Sequence, residues 1–180
     1  MRFPSLRRHL RTKRCLAAAV CAAFAAAIPA PAYPAAAEAQ KADLVVVYKS
    51  LRRMKLLHHG EILRQYRIAL GHKPVGPKDR AGDDRTPEGV YRIDGRNARS
   101  NFHRSLHISF PNDDDVKRAQ ALGVRAGDAI MIHGIPNDYT EREVGHPVVN
   151  WTAGCIAVTN PEIDEIWRLV GDGTVILILP

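Results

Sequence analysis

Two side chains in this sequence have the chemistry needed for nucleophilic catalysis, the thiol of Cys155 and the imidazole of His133. A thiol attacks a carbonyl carbon effectively when a nearby base accepts its proton. His133 ends a short apolar run and lies 22 positions before Cys155, so two neighbouring strands joined by a long loop would bring both side chains to one edge of a sheet. The spacing therefore predicts Cys155 as a nucleophile and His133 as its general base.

The glycines beside these two residues fit the same chemistry. Gly154 leaves room for a substrate carbonyl next to Cys155, and the backbone N–H groups of this pair could hold an oxyanion. A neutral imidazole also needs a partner for its second nitrogen, and the carbonyl of Gly134 adjoins His133 in sequence. Gly154 and Gly134 are thus predicted to support the site through their backbone.

Taken alone, these residues leave a structural interpretation open. Free cysteine is among the most buried residue types, and a histidine at the end of a strand is often a hydrogen-bonded core residue. His146 is a second candidate base, in the loop before Cys155. His103 and His107 have the spacing of a metal-binding pair on a helix, but their segment alternates like a strand, so no metal site is expected.

Residues 1–39 have the order of a secretory signal peptide: a basic front, an apolar Ala-rich run, then small residues. The apolar run at 15–28 is short for a membrane span, and three prolines follow it closely. We therefore expect a protein exported to the periplasm and cell envelope as residues 40–180, with no stable membrane anchor. The pattern does not fix the cleavage site.

Setting this leader aside changes the charge and the cysteine count. The whole chain has a net charge of +7, but residues 40–180 hold 20 basic and 18 acidic residues, so nucleic-acid binding is not expected. Cys15 and Cys21 lie in the leader, which leaves Cys155 as the single thiol of the exported chain. A lone cysteine in an oxidising compartment is either intermolecular or reactive, which favours a working thiol.

Alternating and apolar runs predict a mainly β domain with short helices, arranged as a β-rich sheet or sandwich. A polar, Gly/Pro-rich loop at 71–86 is long enough to have a function. Asn160 is predicted to cap the last helix, with Pro161 at its first position. The predicted strands are 44–48, 54–57, 62–70, 89–93, 106–110, 129–132 and 174–179, and the predicted helices are 113–121 and 161–170.

The segment His133-Gly134, a long loop and then TAGCI at 152–156 resembles the HG…[S/T]-x-G-C signature of the L,D-transpeptidase catalytic domain family, the YkuD type. Further matching segments are TPEGVY at 86–91, FPN at 110–112 and AVTN at 157–160, which look most like the YafK-like branch. The resemblance covers nearly all of residues 40–180. Each piece is common, but the combination is specific.

The resemblance implies one catalytic domain at 40–180 with a β-sandwich-like mixed sheet, Cys155 as nucleophile, His133 as base, and neither metal nor organic cofactor. The implied substrates are peptidoglycan stem peptides, cut at the L,D-peptide bond ahead of a terminal D-Ala. The implied acceptor is an amine, either of another stem, giving a 3→3 cross-link, or of a lipoprotein lysine. We expect substrate contacts from Thr152, Trp151, Arg96 and His146, with Arg85 and Arg92 as further candidates for binding a carboxylate.

Two positions depart from the family pattern. Many members carry histidine or arginine where Ala153 stands, and arginine where Ala157 stands, so cations that would meet substrate carboxylates are missing. The YafK-like branch also includes a hydrolase that frees lipoprotein from peptidoglycan, so water is an alternative acceptor. A non-catalytic wall-binding module that has kept the scaffold is the alternative from a different class.

Overall fold

Eight strands and three short helices make up residues 40–180, the part of the chain that the computed structural model describes. The prediction of a mainly β fold is confirmed. The strands are β1 (Ala42–Tyr48), β2 (Arg53–His58), β3 (Glu61–Arg67), β4 (Gly89–Ser100), β5 (His103–Ile108), β6 (Ile130–His133), β7 (Ile156–Ala157) and β8 (Val170–Leu179), and the helices are α1 (Asp113–Ala121), α2 (Glu141–Val144) and α3 (Asn160–Leu169).

The strands form one mixed sheet in the order β3-β2-β1-β8-β4-β5-β6-β7. The pairs β1–β8 and β6–β7 are parallel, and the other neighbours are antiparallel. Strand β4 belongs to both halves, because its first part pairs with β8 and its second part with β5. The register shifts between Ile93 and Gly95, and such a bulge bends a strand. The sheet therefore curls around its core.

The segment after β3 reaches the opposite edge of the sheet. Ala69 exchanges two backbone hydrogen bonds with Ala157, at 2.9 and 2.8 Å. Thr152 N–H donates to Leu70 O at 3.2 Å, and His72 N–H donates to Thr152 O at 2.9 Å. Residues predicted to extend β3 thus pair with β7 and the turn before it, and β3 ends three residues earlier than predicted.

Helix α3 covers the curled sheet with an apolar stripe in which Ile163 and Ile166 are fully buried. The capping residue is Thr159, not Asn160 as predicted. Thr159 Oγ1 accepts the Glu162 N–H, and the Glu162 carboxylate accepts the Thr159 N–H, which completes a capping box. Asn160 is the first helical residue, so its side chain is available for a different contact.

Four further elements differ from the sequence prediction. Strands β4 and β8 are longer than predicted, and α2 and β7 were not predicted because elements of four and two residues carry too little periodicity to detect.

Among residues 40–180, no helix is long and apolar enough to cross a membrane. The predicted signal peptide at 1–39 lies outside the described residues.

Candidate active site

One cavity of about 400 Å³ is lined by both of the residues that the sequence singles out, Cys155 and His133. Its walls come from the end of β4, the start of β5, β6 and the turn before β7. A second cavity of about 370 Å³ lies between the 71–86 loop and the chain around Lys49, and its lining includes neither histidine nor cysteine. The first cavity is therefore the candidate active site.

Strand pairing places Cys155 beside His133. Strands β6 and β7 run parallel, with Ile132 opposite Ile156 and His133 opposite Ala157. Cys155 directly precedes β7, so it lies one step back along the sheet from the level of Ile132. The loop that separates the two residues in sequence thus returns the chain to the neighbouring strand.

His133 is held with one nitrogen committed to the backbone. Its Nδ1–H donates to the Gly134 carbonyl at 2.7 Å, which leaves Nε2 as the unprotonated nitrogen of a neutral ring. The side chain is only 2% exposed. Burial lowers the pKa of His133 to about 4, and a neighbouring His146 adds to that shift while the Gly134 hydrogen bond opposes it. The imidazole is therefore neutral at physiological pH.

A glycine is required at position 134 because neighbouring atoms fill the space where a side chain would begin. A Cβ there would lie 2.5 Å from Asn160 Oδ1 and 3.1 Å from the Phe102 carbonyl oxygen. Asn160 Oδ1 also accepts the Ile135 N–H at 2.8 Å. Asn160 thus fixes the backbone that orients His133, a role that no local sequence pattern indicates.

The turn before Cys155 is held by the Thr152 hydroxyl. Thr152 Oγ1 donates to the Cys155 carbonyl at 2.7 Å and accepts the Gly154 N–H at 3.1 Å. Gly154 has a φ of +138°, and a Cβ there would lie 2.7 Å from the Arg85 carbonyl oxygen, so glycine is required. Because the Gly154 N–H is bonded to Thr152, the Cys155 N–H is the remaining one of the two predicted oxyanion donors.

Cys155 is a half-buried free thiol. Burial raises its pKa above the ordinary value, while a hydrogen bond with the Met131 backbone and the positive charge of Lys78 act in the opposite direction. Since His133 is neutral as well, the resting pair is a thiol and an imidazole rather than a thiolate and an imidazolium.

Aromatic side chains lie beside the His133 ring. The ring centroid of Phe102 lies 4.4 Å from that of His133, and the Trp151 centroid lies 5.6 Å from it. Trp151 and Thr152 line the cavity, as expected of substrate-binding residues, although the Thr152 hydroxyl is engaged in the turn. His146 is buried with an unpartnered Nδ1, and it is not among the cavity-lining residues.

The structure places Arg96 outside the cavity, which corrects its expected role in substrate binding. Its guanidinium donates to the Trp167 carbonyl at 2.9 Å and to the Val170 carbonyl, and it pairs with Asp172. These carbonyls lie at the C-terminal end of α3, where a cation is favourable. Arg96 therefore stabilises the junction of α3 and β8.

The other expected cation sites are also absent from the cavity. Arg85 bonds within its own loop, and Arg92 donates to a carbonyl of β8. Ala153 lines the cavity, whereas Ala157 is fully buried in β7. Among the residues at 40–180 that line the cavity, none is a lysine or an arginine. A substrate in this cavity would meet neutral groups.

Sequence reasoning missed a polar wall of the cavity that β4 and β5 contribute. The residues were missed because β4 was predicted to end at 93, so the turn that presents them was not foreseen. Their amides and hydroxyls offer neutral donors and acceptors. They are Asn97, Ser100, Asn101 and Ser105.

The described residues contain one group of three side chains close enough to share a metal ion, Asp43, His58 and His59. They lie around the β2–β3 turn and are partly or fully exposed. None of them lines the cavity.

Comparisons with known proteins identify the family of this chain. The model of the L,D-transpeptidase catalytic domain family, YkuD, matches residues 42–178. The Escherichia coli (strain K12) protein named "Putative L,D-transpeptidase YafK" is 32% identical over 119 residues, which is 65% of this chain and 41% of YafK. The Bacillus subtilis (strain 168) protein named "Putative L,D-transpeptidase YqjB" is 27% identical over 135 residues, which is 74% of this chain and 69% of YqjB.

Solved structures share the fold. The helical cell shape determining protein Pgp2 of Campylobacter jejuni has a TM-score of 0.56 and 20% identity, over 75% of this chain and 46% of Pgp2. Bd1075 of Bdellovibrio bacteriovorus has a TM-score of 0.53 and 21% identity, over 78% of this chain and 51% of Bd1075. This chain thus spans about half or less of YafK, Pgp2 and Bd1075. Since the family model matches nearly every described residue, the chain belongs to the L,D-transpeptidase catalytic domain family.

Proposed function

We propose that this chain is an exported, cysteine-dependent L,D-transpeptidase that acts on peptidoglycan stem peptides in the periplasm. The observation that carries the proposal is the shared cavity, in which a neutral imidazole with Nδ1 committed to Gly134 lies on the strand beside the Cys155 turn. Membership of the family supports the substrate class. The geometry supports roles for Cys155 as nucleophile and His133 as general base.

In the first step, Cys155 Sγ adds to the carbonyl carbon of the L,D-peptide bond while the thiol proton passes to His133 Nε2. The Cys155 N–H stabilises the oxyanion of the tetrahedral intermediate. The intermediate then expels the amine of the terminal D-amino acid, which takes the proton back from the imidazolium. A thioester on Cys155 remains.

In the second step, an acceptor amine attacks the thioester and gives its proton to His133. The thiolate that leaves takes up this proton, which restores the resting pair. The acceptor amine belongs either to another stem peptide, giving a 3→3 cross-link, or to a lipoprotein lysine. No step requires a metal or an organic cofactor.

The cavity lining supports recognition through neutral contacts. Asn97, Ser100 and Asn101 present amides and a hydroxyl, and Trp151 presents an apolar face. Peptide groups of a stem can pair with the amides, while carboxylates find no lysine or arginine in the lining. The neutral wall therefore favours binding through the peptide backbone over binding through its charges.

Mass spectrometry of muropeptides tests the proposal. Purified protein is incubated with sacculi, with Cys155→Ala as the matched control. New 3→3 dimers support the transferase, whereas tripeptide stems or released lipoprotein would identify a hydrolase that uses the same acyl-enzyme. Binding to sacculi without turnover would identify a wall-binding module. The same products from Cys155→Ala would overturn the proposed mechanism.

A further inference from the structure

We propose that Lys78 is a positioning residue of this site: its buried ammonium, paired with Asp83, holds the 71–86 loop against the nucleophile turn and stabilises the Cys155 thiolate as it forms. The relevance to catalysis rests on the proposed function. The effect on the thiol itself does not, because the acidity of Cys155 can be measured without any substrate.

The pair is buried in a loop that is otherwise polar. Lys78 is 4% exposed and Asp83 is 8% exposed, and Lys78 Nζ donates to Asp83 Oδ1 at 2.7 Å. Removing two charges from water is costly, and their attraction offsets the cost only with good geometry and further hydrogen bonds. A loop that merely connects two strands has no need of such a pair.

Asp83 supplies those further hydrogen bonds to its own loop. Its carboxylate accepts the N–H groups of Asp79 at 2.8 Å, Arg80 at 3.1 Å and Arg85 at 3.1 Å. Burial opposes ionisation, but Lys78 and these three N–H groups hold the pKa of Asp83 below its usual range. The carboxylate is therefore ionised and fixes the backbone on both sides of it.

This fixed backbone touches the nucleophile turn directly. The Arg85 N–H is bonded to Asp83, and the Arg85 carbonyl oxygen would lie 2.7 Å from a Cβ at Gly154. Gly154 is the residue immediately before Cys155. A single residue, Arg85, thus links the Lys78–Asp83 pair to the turn that carries the thiol, and a shift of that pair would shift the turn.

The ammonium also acts on the thiol through its charge. The stem of Lys78 packs against Gly127, where a Cβ would lie 2.7 Å from Lys78 Cε. The positive charge of Lys78 lowers the pKa of Cys155 against the larger, opposite effect of burial. Lys78 is not among the described residues that line the cavity, so its charge acts on the thiol from outside the cavity wall.

A second lysine that bonds to the 71–86 loop provides a matched control. Lys49 Nζ donates to the Gly76 carbonyl at 2.6 Å, the Thr86 carbonyl at 2.8 Å and Glu88 Oε1 at 2.8 Å. Lys49 therefore anchors the loop as Lys78 does, but it is not among the charges that act on Cys155. Removing it loosens the loop without removing the cation near the thiol.

The test is the pH dependence of Cys155 alkylation by iodoacetamide in the full chain, followed by mass spectrometry of the labelled peptide. The variants are Lys78→Met with Asp83→Asn, which leaves no unpaired buried charge, and Lys49→Met with Glu88→Gln. Melting temperatures measured in parallel report the loss of stability in each. Lys78→Gln is added because its amide can still donate to Asp83 and preserve the loop.

We expect the alkylation midpoint to move upward in both Lys78 variants, with a rate at pH 8 about threefold lower for each unit of the shift. In the Lys49 variant we expect the midpoint of the parent, even if its melting temperature falls as far. An unchanged midpoint in Lys78→Gln, or an equal shift in the Lys49 variant, overturns the proposal. If the midpoint shifts as expected but the parent chain shows no transpeptidation of sacculi, the proposed function fails while the effect of Lys78 on the thiol stands.

Discussion

Burial shifts the Cys155 thiol and the His133 imidazole toward their uncharged forms. It raises the pKa of the Cys155 thiol and lowers the pKa of His133 to about 4. A neutral thiol is a weak nucleophile, so the pair reacts fastest when a bound carbonyl lies in position and the proton can move to His133. The rate should therefore depend on His133 staying unprotonated.

The first prediction concerns this protonation. Only the unprotonated imidazole can act as a general base, so activity should fall as the pH drops through the pKa of His133. We expect the acidic limb of kcat/KM near pH 4, not near the ordinary histidine value of 6.5. The measurement is a pH–rate profile with a soluble stem peptide. A limb near 6.5 would show that the imidazole is not buried as described.

The second prediction concerns the turn before the nucleophile. Thr152→Val keeps the shape but removes a hydroxyl that both donates to Cys155 O and accepts the Gly154 N–H. An unpaired buried carbonyl and N–H should lower the free energy of unfolding by about 1–3 kcal/mol. Acylation should slow as well, because the Cys155 N–H loses its fixed direction.

Urea unfolding and burst kinetics measure the two effects of Thr152→Val. Thr174→Val, in β8 and outside the cavity, is the matched control and should leave acylation unchanged. Wild-type acylation in Thr152→Val would contradict the role given to this hydroxyl.

At the level of secondary structure, the strand pair β6–β7 and the start of α3 position Cys155 and His133. The parallel pair β6–β7 sets the nucleophile beside the base, and the start of α3 supports the base from behind through Asn160. Thr159 and Asn160 are adjacent in sequence but perform different tasks, because Thr159 caps the helix and Asn160 bonds to the Ile135 N–H. Neighbouring substitutions can therefore separate helix stability from catalysis.

The third prediction uses that separation. Thr159→Ala removes the capping box and should cost about 1 kcal/mol of stability with little change in kcat. Asn160→Ala removes the acceptor of the Ile135 N–H and opens space at Gly134, so the orientation of His133 should loosen. Relative to the stability that each variant loses, we expect a larger fall in kcat for Asn160→Ala than for Thr159→Ala. Steady-state kinetics and thermal melts decide this, and equal kinetic effects would count against it.

At the scale of the whole described chain, the curled sheet brings distant segments into one site. The 71–86 loop, the end of β4 and the turn before β7 meet at the thiol, although they are far apart in sequence. The segment after β3 bonds to Ala157 and Thr152, so the two outer ends of the sheet hold the nucleophile turn together. Stability and site geometry should therefore be lost together on unfolding.

The sequence predicted what depends on local pattern. Most strands, helix α1 and the proximity of Cys155 to the strand that ends at His133 could be inferred from periodicity and spacing, although strand β7 itself could not. The outward placement of Arg96 could not, because it depends on a bulge in β4 and on where α3 ends. The contact of Asn160 with Ile135 and the charge effect of Lys78 on Cys155 are long-range in sequence as well, and no local pattern signals them.

The fourth prediction follows from a mechanism carried by side chains alone. Prolonged treatment with a chelator should leave transpeptidation unchanged, since the only three-ligand group among the described residues, Asp43 with His58 and His59, does not line the cavity. Activity assayed before and after chelation and after addition of zinc measures this. A loss that zinc restores would show that a metal takes part.

The most direct measurement is the mass of the intact protein after brief mixing with a disaccharide tetrapeptide. We expect an adduct whose mass equals that of the substrate minus its terminal D-Ala. It should be located on Cys155 and absent from Cys155→Ala. Turnover that proceeds without this adduct, or an adduct that persists in Cys155→Ala, would contradict the assignment of Cys155 as the nucleophile.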